Sequence, residues 1–114
     1  MRKSPMIFLD HIINSINLLE EYIQDLKYQD FVNNYEKQDA VIRRLEIMGE
    51  AIRNIPEEFL DNYPEIPWRD IVDFRNVLIH EYFDVNIERV WETIQKDIPE
   101  FKTKIEKIRK SLEL

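Results

Sequence analysis

The chain has 114 residues, a formal net charge of −7, 44 % hydrophobic and 34 % charged residues, and no cysteine. This is a globular composition at the size of one domain, here assigned to residues 1–114, and not a disordered one. The missing cysteine excludes disulfides, thiolate metal sites and thiol catalysis and fits a reducing compartment, while the negative charge opposes generic nucleic-acid binding, which draws on excess Lys and Arg.

"MRKSPMIFLD" has two basic residues but neither the long apolar region nor the cleavage site of a signal peptide. No apolar run reaches the roughly 20 residues of a spanning helix. A cytoplasmic protein without membrane contact is therefore expected. Ser4-Pro5 reads as an N-cap followed by proline at the first helical position. Leu9, Ile12, Ile13, Ile16, Leu19, Ile23 and Leu26 then recur at helical spacing as one apolar stripe. "YQDFVNNYEK" interrupts the pattern with Asp and Asn. Val41, Leu45, Met48, Ile52 and Ile55 form a second stripe, and Pro56 ends it or begins a short new turn.

The only glycine, Gly49, lies inside that second helix. Glycine there costs about 1 kcal/mol relative to alanine, so a close approach by another helix is the expected compensation. "NYPEIPWRD" is a connector, with Pro67 placed to open a helix that carries Ile71, Phe74 and Leu78 and stops around "FDVN". Asn86 caps a further helix with Val90, Trp91 and Ile94, and Asp97-Ile98-Pro99 bends or restarts the chain. Ile98, Phe101, Ile105, Ile108 and Leu112 give a last stripe. The basic run "FKTKIEKIRK" within it reads first as a solvated helix face and second as a polyanion contact. No strand pattern is present. The fold class is all-α: an antiparallel bundle of four long helices plus short helical pieces.

Metal and cofactor sites find no support. His11 is preceded three residues earlier by Phe8 and His80 by Val77, so no Glu-x-x-His pair exists, and His-Glu-x-x-His is absent. One glycine cannot build a phosphate-cradling loop. Glu46 and Glu50 stand one turn apart without a histidine and read as helix-surface carboxylates.

What remains is "FRNVLIHEYF", with Arg75, Asn76, His80 and Tyr82. At ~100° per residue, Asn76 and His80 share a helix face, whereas Arg75 and His80 are ~140° apart and His80 and Tyr82 ~200° apart. Val77, Leu78 and Ile79 are expected to hold the helix in the core. One straight helix cannot place Arg75 beside His80. Either the helix distorts or ends near His80, or a symmetric dimer brings two copies of the motif together, and an end at about Glu81 is expected if His80 and Tyr82 serve one site. The set suits phosphodiester cleavage: histidine transfers protons near neutral pH, arginine holds a phosphate at two points, and asparagine positions either group. RNA supplies its own nucleophile, the 2′-hydroxyl. The competing reading is an arginine and histidine that only brace a helix end.

"RNVLIHEYF" resembles the R-x4-H-x-Y signature of HepT-like toxins of the HEPN superfamily. "QDAVIRRLEIMGEAIRNIP" resembles that family's second long helix, with its internal glycine, and "PWRDIVDFRNVLIHEYFDV" its motif helix. The resemblance implies a helical bundle that dimerises with its motifs near the interface. It implies a metal-independent endoribonuclease, the toxic half of a toxin–antitoxin pair, neutralised by a minimal nucleotidyltransferase of the MNT type. By matching positions Arg75 and His80 are catalytic, Asn76 accompanies the arginine, and Tyr82 is the tyrosine that such antitoxins modify with AMP. Asp73, Glu46 and Arg43 are possible supporting residues. The alternative is a non-catalytic helical subunit that serves a nucleotidyltransferase by binding its substrate.

Overall fold

The structure is a computed structural model that describes residues 4–81 and 83–113. Among the described residues every regular element is helical. Helix α1 spans Pro5–Ile23, and the Ser4 hydroxyl accepts a hydrogen bond from the Met6 amide at 3.2 Å. Its stripe of Leu9, Ile12, Ile16 and Leu19 is fully buried. The chain then reverses at Asp25, whose φ of 65° a short polar side chain tolerates.

The interruption at "YQDFVNNYEK" is more ordered than its composition suggests. It contains a short helix, α2, Tyr28–Val32, before α3, Tyr35–Arg53. Asn34 caps α3, its side-chain oxygen accepting from the Lys37 amide at 3.0 Å. The buried amide of Gln38 donates to the carbonyls of Phe31 and Val32, both at 2.9 Å. Those carbonyls lie in the last turn of α2, where the Phe31 oxygen also accepts from the Asn34 amide at 3.2 Å. A side chain four residues into the next helix therefore fastens the turn.

A short α4, Glu57–Leu60, follows Pro56, and α5, Trp68–His80, follows Pro67. Helix α5 stops at His80, with Glu81 leaving helical geometry at φ −112°, ψ 37°. That end comes before "FDVN" and falls at about Glu81, where one was expected.

Asn86 caps α6, Ile87–Glu92, accepting from the Arg89 amide at 3.1 Å. The chain does not restart at Pro99. A wider π turn, Thr93–Asp97, joins α6 to α7, Ile98–Ser111. Proline lacks the amide that a regular ladder would use, and the wider turn accommodates that loss. It also keeps the packed face aligned. Val90, Ile94 and Ile98 are buried at two successive spacings of four, which on a regular helix rotate the stripe by ~80°.

The helices pack antiparallel in pairs. On α1 and α7, Asp10 meets Arg109 at 2.6 Å and Glu20 meets Lys102 at 2.7 Å, so the two run in opposite directions. Two cations of the basic run of α7, Lys102 and Arg109, are thus held by α1, while Lys107 and Lys110 are exposed. The hydrogen bond to Glu20 keeps the Lys102 amine above its ordinary pKa, against a smaller opposing effect of burial. Helix α3 lies against α1 and α5, with Lys37 near the Tyr22 ring and Gly49 against Arg75.

One expectation fails. Of the three apolar residues inside the motif only Leu78 is buried, at 2 % exposure, whereas Val77 and Ile79 are 38 % and 36 % exposed. Three consecutive helical residues spread over ~200° and cannot all face one core. Leu78→Ala is therefore expected to cost about 2–5 kcal/mol, and Val77→Ala about 0.5 kcal/mol or less. Urea unfolding of the two variants checks the difference.

Candidate active site

The site begins with the glycine. A Cβ placed on Gly49 would lie 2.4 Å from the Cβ and 2.7 Å from the Cγ of Arg75. Real Cβ atoms essentially never come so close to a non-bonded carbon, so α5 rests on bare α3 backbone at this point. This is the close approach that an interior glycine called for. It fixes the stem of Arg75 and leaves the side chain only 17 % exposed.

The guanidinium is then held at both terminal nitrogens. Nη1 donates to Oδ1 of Asn76 at 2.8 Å, and Nη2 donates to Oε2 of Glu50 at 2.8 Å. Nε is buried and has no hydrogen-bond partner among the described residues. Glu50 is 52 % exposed and also lies 3.9 Å from Arg53. The contact to Asn76 is within α5, and the contact to Glu50 ties α5 to α3.

Arg75 opens into a cleft of about 350 Å³ between α1, α3 and α5, lined among others by Phe8, His11, Arg43, Glu46 and Glu50. Arg43 and Glu46 pair at 3.6 Å. The rings of Phe8 and His11 meet edge-to-face at 6.2 Å. Of the supporting residues suggested by sequence, Arg43 and Glu46 thus share the cleft of Arg75. Asp73 does not: it lines a separate groove with Arg53, Trp68 and Arg69.

His80 is exposed at the last position of α5. It does not line the Arg75 cleft, and neither Arg75 nor Asn76 hydrogen-bonds to it among the described residues. Within one chain the regular helix keeps the motif arginine and histidine apart, as its geometry requires. Tyr82, the expected modification site, lies outside the described residues.

Sequence reasoning missed two residues of this cleft. Glu50 reads as a surface carboxylate because nothing in its own helix identifies Arg75 as its partner. Its signal is position, immediately after the glycine that admits α5. His11 carries no local signal, since an exposed histidine on an amphipathic helix is unremarkable.

Comparison with known proteins gives the family. Residues 12–108 match the family model described as "Ribonuclease HepT-like". The chain is 48 % identical over 113 residues to a protein of Methanocaldococcus jannaschii named "Gamma-glutamylcyclotransferase and putative RNase", covering 99 % of this chain but 51 % of that relative. It therefore spans about half that relative's length. It is 44 % identical over 110 residues to the "Probable ribonuclease HepT" of Thermococcus cleftensis, covering 96 % of this chain and 100 % of the relative. A "Putative RNase" of Caldanaerobacter subterraneus is 41 % identical over 106 residues, with 93 % and 95 % covered. No solved structure matches. The chain belongs to the HepT-like ribonuclease family of the HEPN superfamily.

Gly49→Ala gains up to about 1 kcal/mol in helix propensity, yet it is expected to destabilise the fold by about 1–3 kcal/mol through overpacking against Arg75. Chemical denaturation decides the sign.

Proposed function

We propose that this chain is an endoribonuclease that cleaves RNA without a metal, and that it is the toxin of a HEPN–MNT toxin–antitoxin pair. The observation that supports the reading is family membership across residues 12–108, with Arg75 and His80 at the positions of the family's motif. The chemistry needs a base that takes the proton of a ribose 2′-hydroxyl. The resulting oxygen attacks the adjacent phosphorus, the 5′-oxygen leaves with a proton, and a 2′,3′-cyclic phosphate remains. His80 is exposed and free to exchange that proton. Arg75 holds the phosphate and stabilises its growing charge, with Asn76 beside it.

The working unit is a homodimer. One protomer turns Arg75 into the α1–α3–α5 cleft and presents His80 at the end of α5, so a two-fold partner supplies the missing juxtaposition. Exposed apolar side chains on and beyond α5, Val77 at 38 %, Ile79 at 36 % and Phe83 at 80 %, suit a contact between copies. The antitoxin is an MNT-type nucleotidyltransferase that adenylylates Tyr82, two residues after His80. The adenylate places bulk and negative charge beside the site and repels RNA. No helix among the described residues is long and apolar enough to cross a membrane, and the proposed setting is the cytoplasm.

A second reading, a non-catalytic substrate-binding subunit of a nucleotidyltransferase, draws on the net charge of −7 and on the carboxylate already seated on Arg75. RNA cleavage by the purified wild type separates the two. Arg75→Ala and His80→Ala are each expected to lower the rate about 10²-fold or more. Equal rates in all three proteins exclude the proposed activity. Incubation with the partner and ATP should add one or more adenylate masses at Tyr82 and none to a Tyr82→Phe variant.

A further inference from the structure

We infer that Glu50 is a positioning residue for Arg75, fixing the guanidinium so that two of its N–H groups remain aimed at a phosphate. The inference rests on the reading of Arg75 as the phosphate-holding arginine.

An arginine head has five N–H donors. In Arg75 the Nε donor is buried, so no ligand reaches it. One donor on Nη1 is taken by Asn76 and one on Nη2 by Glu50, each at 2.8 Å. One N–H is left on each terminal nitrogen, which is the number a two-point contact to phosphate oxygens uses. The stem is set by its fit against Gly49. What the stem cannot set is rotation of the planar head, and a planar head is fixed by acceptors at both ends.

The two acceptors are not equivalent. Asn76 follows Arg75 on α5 and moves with it. Glu50 comes from α3 and is the tie between the guanidinium and the wall of the cleft. It follows the glycine in sequence, so the gap that admits the arginine stem also brings the carboxylate to its head. Arg53 lies 3.9 Å from the same carboxylate oxygen. A pair as exposed as this contributes little to stability. Its consequence is orientation.

The test uses the full chain and RNA, with wild type, Glu50→Ala, Glu50→Gln, Arg75→Ala and the Glu50→Ala/Arg75→Ala double variant. Glu50→Ala is expected to lower kcat about tenfold with KM unchanged or lower, since a negative charge has left the cleft. Its Tm should stay within about 4 °C of wild type. Glu50→Gln keeps an acceptor and should recover most of kcat. In the Arg75→Ala background the Glu50 change should have no further effect, because Glu50 acts through the arginine. The inference is overturned if Glu50→Ala and Glu50→Gln both cleave as fast as wild type or faster, which would make the carboxylate a removable cover over Arg75. A wild type that cleaves no faster than Arg75→Ala rejects the ribonuclease reading instead. Nitrogen-15 NMR of the Arg75 head gives a readout independent of cleavage. Its Nη protons should resolve separately in wild type and merge in Glu50→Ala, and spectra that do not differ overturn the positioning role.

Discussion

The contact on which the site depends is between a missing side chain and a present one. At Gly49 the α3 backbone leaves no room for a single additional carbon before it meets the stem of Arg75. The packing of α3 on α5, the depth at which the arginine sits and the reach of its head to Glu50 follow from that one approach. A glycine inside a helix weakens the helix. Here that local cost is accepted at the point where two helices must come closest, and an arginine rather than an apolar residue fills the space.

The motif then divides its labour by direction. Residue 75 points into the wall between helices and residue 78 into the core, while residue 80 closes the helix and faces outward. Regular α-helical geometry up to His80 separates a rigid, partly buried cation from an exposed imidazole. The cation is held by its neighbours, while the imidazole is open to solvent. In the proposed two-fold assembly this difference suits the roles, since a charge-stabilising group gains from rigidity and a proton-transferring group must reach its substrate.

Much of this was legible in the residues. The apolar stripes located α1, α3 and α7 because helical periodicity is strong over long segments, and Ser4, Asn86 and Gly49 announced two caps and a close approach through their own chemistry. The helical wheel of the motif already separated Arg75 from His80. What the sequence withheld was partnership. Glu50 finds Arg75 across 25 positions, and Gln38 closes α2 through carbonyls that any side chain could have met. The π turn before Pro99 was hidden for a related reason. Proline signals a break, yet two spacings of four among buried residues could be absorbed by widening the helix. The apolar run Val77–Ile79 misled because hydrophobicity was read without its angular spread.

The seam between α1 and α7 gives the basic C-terminal run a different meaning. Lys102 and Arg109 carry charges that complement Glu20 and Asp10 on the opposite helix, and Lys104 is paired along its own helix with Glu100. Part of a stretch that looks like a landing strip for phosphates is thus one half of a zwitterionic fastening. Dissolved salt screens such exposed pairs, over a Debye length of about 10 Å at 0.1 M. What added ions loosen there is the protein's hold on its own last helix.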